Sequence, residues 1–375
     1  MNRSTPYLGI IAMLAAVFFI AMLSDAPPTP QKSSVGTTTP IVVVSEPEVV
    51  SPSKPEATTT SPVAKPPAVS HIEKTVAPKV PEVVPAHPVT APVTPPAPTE
   101  EMFDASALAL RDALVNIICY APQGSGLHSI SGSGVFIDSK GIILTNAHIA
   151  QSFLLSDHGV FCVVRSGSPA RDKYEAALIH ISSPWIRANA ATLTQDAPTG
   201  NGEYDFALLA VTKSVTSAPL PSQFPFVPLA QTPPLSGAPV TIASYGAQFL
   251  EASQVRSALF PTIVFGSIKK VFTFATNTVD VFSLGGSAAA QEGSSGGGIS
   301  DTTGTLIGTI TTSTVTGPTD TRTLSAITAS YIRAEYANET GKALDLLLAA
   351  PTVTSISGFV PQIATLEALL VAHLP

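Results

Sequence analysis

A long proline-rich stretch, Asp25 to Glu101, decides where this chain can fold. About half of the 35 prolines fall within it, among Thr, Val, Ala and Ser with scattered Lys and Glu. Proline fixes φ and removes a backbone donor, so neither a helix nor a central strand is expected there. Residues 25–101 therefore read as a disordered, polyproline-biased stalk, with a reach on the order of 50 Å as a coil and over about 200 Å if fully extended. Upstream, Tyr7 to Leu23 is apolar and uncharged. As a helix it spans about 26 Å, and Arg3 before it favours a cytoplasmic N-terminus. Residues 1–24 are thus expected to form an uncleaved signal anchor, one transmembrane helix. The competing reading is a cleaved signal peptide, but the best small-residue site, Ser24-Asp25-Ala26, runs straight into Pro27.

Ordered structure is expected from about residue 102, in a segment long enough to bury a substantial core. It reads as short strands broken by glycine- and proline-bearing turns. The candidates are Leu114–Tyr120, Gly134–Asp138, Ile142–Thr145, Val160–Val164, Tyr174–Ile181 and Phe206–Val211. Pro-rich Ala218 to Pro234 makes a natural connection. Val240–Ser244, Ile268–Phe274, Val279–Leu284, Leu306–Thr312 and Thr323–Thr328 follow. Ala147 to Leu154 reads as a helical turn and Ala329 to Ala349 as a helix interrupted by Gly341. Residues 350–375 form a tail whose apolar stretch, Ile363 to Leu374, is expected to pack on the folded body, being too short to span a bilayer.

The net charge of −7 gives no reason to expect a nucleic-acid partner. The two cysteines, Cys119 and Cys162, have no Cys-x-x-Cys or zinc spacing, so neither a metal nor a cofactor is expected.

Three motifs carry chemistry. Thr145-Asn146-Ala147-His148 closes an apolar run. Tyr204-Asp205-Phe206-Ala207-Leu208-Leu209 follows. Gln291-Glu292-Gly293-Ser294-Ser295-Gly296-Gly297-Gly298 has the form Gly-x-Ser-Gly-Gly. A serine hydroxyl becomes a useful nucleophile only when a base takes its proton. His148 would be that base, Asp205 would hold its tautomer, and Ser295 would attack. Glycines allow the backbone to aim N–H groups at one point, so Gly293 and Ser295 are the expected oxyanion donors. Alone, each motif is as well explained by a loop or a strand end; together, in the order His, Asp, Ser, they point to one family of hydrolases.

On these residues, with Leu114-Val115-Asn116-Ile117 and Ser131-Gly132-Ser133-Gly134-Val135-Phe136-Ile137, the region from about Ser106 to Leu348 resembles a trypsin-like (chymotrypsin-fold) serine endopeptidase. It is similar in flavour to the HtrA/Deg-like branch, but with no PDZ domain. The resemblance implies an all-β fold of two six-stranded antiparallel β-barrels with a C-terminal helix, the active site in the cleft between them. Within a protease domain at 102–349, barrel one would cover about 106–217, barrel two about 235–328 and the helix about 329–349. Ser294 stands where zymogens of this fold carry an aspartate, so activation by a freshly cut N-terminus is not expected. Gly298 replaces the usual proline.

The resemblance also assigns the substrate pocket. Its base would be Ala289 and its wall Thr311, Thr312 and Ser313, with Thr311 a candidate partner for Asp205. Ordinary strand threonines remain the alternative. No carboxylate there would pair with a basic side chain. Cys119 and Cys162 would fall on neighbouring strands, and both a disulfide and two buried thiols remain open. The expected function is a membrane-tethered, extracytoplasmic endopeptidase acting on polypeptides. The alternatives are a catalytically silent binding module on a stalk and a serine esterase.

Overall fold

The computed structural model describes residues 99–195, 200–275, 277–313 and 317–374. The expected anchor, and the stalk as far as residue 98, lie outside the described residues. Helix α1, Glu100–Ala113, opens the fold, with Glu100 and Glu101 in its first turn, where acidic side chains favour the helix dipole. Its buried residues, Ser106, Leu110 and Ala113, recur at helical spacing and mark one apolar stripe.

Six strands then close into a barrel. They are β1 (Leu114–Tyr120), β2 (Ile130–Asp138), β3 (Ile142–Thr145), β4 (Phe161–Ser166), β5 (Arg171–Ile181) and β6 (Ala207–Ser214). Their order is β1-β2-β3-β6-β5-β4, with β4 pairing back onto β1. All of β3, and every residue of β1 except Tyr120, is buried. Both faces of these strands are therefore covered, which is why they read as largely apolar runs rather than alternating ones. Cys119 faces Cys162 directly across β1 and β4, and their sulfurs are bonded. A closed loop with a sequence separation of 43 would contribute about 4 kcal/mol by unfolded-chain entropy.

Asn116 interrupts the apolar run of β1 at 0% exposure, yet it is satisfied. Its amide donates to Ser131 Oγ and Gly132 O, and its oxygen accepts from Arg165 Nη1. Arg165 is itself buried and donates to the carbonyls of Ala170, Val255 and Arg256. Val255 and Arg256 lie in a short helix of the second half, Ala252–Ser257. One guanidinium thus ties the barrel to its neighbour.

The second half departs from the expected six-stranded barrel. It is a seven-stranded sheet, ordered β8-β7-β11-β12-β13-β10-β9 and rolled into a half-barrel. Its strands are β7 (Pro239–Ser244), β8 (Thr262–Ser267), β9 (Lys270–Phe272), β10 (Val281–Ser283), β11 (Gly298–Ser300), β12 (Leu306–Ser313) and β13 (Leu324–Thr328). The expected strand Ile268–Phe274 is broken, because the chain turns a corner at Ile268 and Lys269. Ile268 N–H bonds back to Ala238 O, beside β7, while Lys269 N–H bonds to Ser283 O in β10. β8 and β11 were not legible as strands.

The C-terminal part is also more helical than expected. Gly341, at φ 69°, ends α5 (Ala329–Thr340) in the left-handed conformation suited to a helix C-terminus. A short turn, Leu344–Ala349, follows, and then α6, Thr352–Val371. Most of the expected twelve-residue apolar stretch, 363–371, thus lies in a 20-residue helix of mean hydropathy 1.3, long and apolar enough by composition to cross a membrane. Its Phe359, Leu366 and Leu370 are buried, it packs on β5, and its Glu367 pairs with His158 at 3.2 Å.

Beneath these helices, His180 of β5 is 5% exposed. It stacks on Phe206, meets the edge of Tyr336 and lies 3.8 Å from Glu339. Burial lowers its pKa to about 3. A histidine held neutral in the fold stabilises it above the unfolded value of 6.5, and that stability is lost as pH falls from 6.5 towards 3. Glu339, whose pKa burial raises, works in the opposite sense. Urea midpoints for the wild type and His180→Gln between pH 7 and 4 separate the two groups. The wild type should lose up to about 1.4 kcal/mol more per pH unit than the variant; parallel profiles would contradict this.

Candidate active site

Asp205 is placed by an unusual turn. Gly202, at φ 87°, packs so closely that a Cβ there would come within 2.6 Å of Thr311 Cγ2. Tyr204 takes the left-handed conformation at φ 57°, rare for a bulky side chain. Its N–H donates to the Tyr331 hydroxyl at 3.0 Å, and burial of that hydroxyl pushes its pKa well up, keeping it protonated. The turn delivers Asp205 to the start of β6 with 3% exposure.

Every oxygen of Asp205 is engaged. Oδ1 accepts from His148 N–H at 3.0 Å. Oδ2 lies 2.8 Å from His148 Nδ1 and accepts from Thr311 Oγ1 at 2.7 Å. The backbone oxygen accepts from Asn146 Nδ2 at 2.9 Å. His148 is thus gripped at two points, and Gln151 caps its carbonyl at 3.0 Å. A carboxylate bonded to Nδ1 leaves Nε2 as the basic nitrogen.

The serine loop is pinned to the other side of this array. Ser133 N–H donates to Ser295 O at 2.7 Å, and Ser133 Oγ donates to Gly293 O at 2.8 Å. Thr145, three residues before His148, donates to Ser133 O. The loop that carries Ser295 therefore abuts the strand end that carries His148. Four glycines make this approach available. Gly296 has φ 83°, and a Cβ there would lie 2.0 Å from Ser133 O. Ser294, at 1% exposure, accepts from Ser244 Oγ at 3.1 Å, so a neutral hydroxyl pair occupies the place of an ion pair.

The peptide between Glu292 and Gly293 has a defined direction. Ala247 N–H donates to Glu292 O at 2.8 Å. In a trans peptide the N–H points opposite the carbonyl, so Gly293 N–H faces away from Ala247. Among the described residues, neither Gly293 N–H nor Ser295 N–H donates to another protein group. Two unpaired donors on either side of Ser294 can receive a developing negative charge.

Residues 132–308 match the family model of the trypsin-like peptidase domain. These residues form a trypsin-like peptidase domain. By class it is a serine endopeptidase. Two solved structures resemble it distantly. The active form of the Rv3671c protease from M. tuberculosis is 20% identical, with a TM-score of 0.41, over 68% of this chain and 93% of that one. Deg5 is 17% identical, with a TM-score of 0.42, over 64% and 94%. With TM-scores below 0.5, neither bears on function here. No curated protein matches the peptidase in sequence.

Of the pocket residues read from the sequence, Ala289 and Thr311 are buried, at 0% and 4% exposure. Thr312 and Ser313 continue β12, where Ser313 faces Leu324 of β13 and Leu324 is fully buried. Sequence reasoning missed Ser133, Asn146 and Tyr331, which hold the site together through backbone contacts from distant segments. The run Ser131-Gly132-Ser133-Gly134 was the one available signal.

Gly296→Ala should destabilise the peptidase by about 3 kcal/mol or more, through left-handed strain plus a clash with backbone that cannot yield. Gly304, at φ 78° with open space around it, is the control; Gly304→Ala should cost only about 1 kcal/mol. Denaturant titration of both variants checks this, and equal losses would contradict the packing argument.

Proposed function

We propose that this peptidase hydrolyses polypeptides through an acyl-enzyme, with Ser295 as nucleophile, His148 as base and then acid, and Asp205 as the orienting carboxylate. The observation that carries the reading is the array in which Asp205 receives both His148 and Thr311 while the Ser295 loop is pinned three residues from His148. His148 Nε2 takes the Ser295 proton as Oγ attacks the scissile carbonyl. Negative charge gathers on the carbonyl oxygen and is received by Gly293 and Ser295 N–H. The imidazolium, held by Asp205, protonates the leaving amine, and water repeats the sequence on the acyl-enzyme. Burial of Asp205 among three donors strengthens each of these interactions relative to water.

The peptidase is read as tethered outside the cytoplasm by the Tyr7 to Leu23 run, with the proline-rich segment as spacer. The bonded pair Cys119–Cys162 supports an oxidising compartment. The apolar helix α6 adds weak support for a membrane, but its buried Phe359, Leu366 and Leu370 favour packing on the protein.

Ser295→Ala should leave the fold intact and lower peptide hydrolysis by about 10⁴-fold or more, with His148→Ala close behind, because triad members act as a unit. A fluorophosphonate probe should label the wild type at Ser295 and not the variant. Retained turnover in Ser295→Ala overturns the assignment; an unlabelled but folded wild type supports the silent binding module instead. Turnover of peptides against esters separates endopeptidase from esterase.

The pocket reading yields a second test. Ala289 and Ala290 are fully buried, and no described carboxylate is assigned to the pocket. Cleavage should follow small uncharged residues such as Ala or Val. Mass spectrometry of a digested proteome reads this out, and a dominant Lys or Arg at the cleaved position contradicts it, since a buried ammonium needs a partner.

A further inference from the structure

We propose that Arg322 is a positioning residue for the oxyanion loop, locking the direction of the Glu292–Gly293 peptide. Arg322 lies just before β13 and is 5% exposed. Its Nη1 donates to Gln248 Oε1 at 2.6 Å and to Ala290 O at 2.7 Å, and its Nε donates to Gly317 O at 2.9 Å. The Phe249 ring lies 5.6 Å from the guanidinium carbon. No carboxylate among the described residues is within ion-pair distance of it. A buried cation without a counter-ion is costly. Here the cost is offset by oxygen acceptors from three separate loops, which only a planar fork of donors can bridge.

Two of those loops meet at the proposed oxyanion donor, so the inference rests on that assignment. Gln248 adjoins Ala247, whose N–H holds Glu292 O. Ala290 enters the turn closed by Ser294 N–H on Gln291 O at 3.2 Å. The two segments pack closely. A Cβ on Gly246 would lie 2.3 Å from Gln291 Cδ, and one on Gly293 would lie 2.7 Å from Tyr245 O. One guanidinium therefore clamps the segment that fixes Glu292 O to the segment that contains it. Without the clamp, the Ala247–Glu292 bond can part and the peptide can rotate. Such a rotation turns Gly293 N–H away from the developing charge. Substrate binding before attack makes no use of that N–H, so the loss should fall on kcat rather than KM.

The test compares wild type, Arg322→Ala, Arg322→Lys and Gln248→Ala on a fluorogenic peptide taken from the protein's own cleavage of β-casein. The Cys119→Ala/Cys162→Ala double variant controls for lost stability away from these loops. Arg322→Ala should lower kcat ten- to a hundredfold with KM within threefold, and slow fluorophosphonate labelling of Ser295 to a similar extent. Guanidinium far below denaturing concentration should restore part of kcat. Arg322→Lys should not recover it, because one ammonium cannot span three acceptors. Gln248→Ala cuts the arm towards Ala247 and should show the same kcat-selective loss, which keeps the proposal testable if Arg322→Ala does not fold. Wild-type kcat in Arg322→Ala or Gln248→Ala, absent guanidinium rescue, or an equal kcat loss in the disulfide-free control overturns the clamp. An unlabelled wild type would instead overturn the nucleophile assignment itself.

Discussion

The carboxylate of Asp205 is the point on which the two halves of the peptidase agree. It lies two residues before β6 of the closed barrel, yet one of its donors, Thr311, comes from β12 of the second sheet. A carboxylate at 3% exposure is costly unless its lone pairs are met. Three donors meet them here, and the donors come from both halves. Moving either half relative to the other would strand a buried charge. The geometry of the site and the docking of the halves are therefore one constraint, not two.

The serine loop obeys a related constraint through sterics. Gly296 admits Ser133 O to a place where a side chain would be, and Gly297 does the same for Ala243 O. Ser133 belongs to the barrel and Ala243 to the sheet, so the loop is squeezed between the halves. The same compression leaves Gly293 and Ser295 N–H without protein partners. Unpaired donors in a tightly packed loop are costly unless something arrives to use them, and that cost is consistent with a site organised for a transient oxyanion. Arg322 extends the logic. Carbonyl oxygens from neighbouring loops are gathered around a cation, and the cation in turn restrains the loop.

Architecture and candidate chemistry were unequally legible. Most of β1, β3 and the first five residues of β6 are apolar and buried on both faces, so they read as runs bounded by turns. β11 was hidden because Gly298 to Ser300 belongs to the glycine-rich motif, where three residues carry no periodicity. β8 was hidden for another reason. It lies at the sheet margin with Phe265 exposed, so its residues do not alternate between core and solvent. The corner at Ile268 and Lys269 is set by backbone bonds to Ala238 and Ser283, partners that no local pattern announces. Helix α6 escaped because Pro361 stands within it and split the apolar stretch.

The sequence by itself determined which residue types could do the chemistry and in what order along the chain. A base, a carboxylate and a serine flanked by glycines are local statements, and local statements survive without a structure. Only the tertiary structure decided what those residues touch. Thr311 reaches Asp205 across 106 positions, and Ser106 reaches Ser300 across 194. Arg322 finds its acceptors in loops 32 and 74 positions away. Such contacts depend on how barrel and sheet close against each other, and hydrogen-bond partners far apart in the chain leave no periodic trace in it.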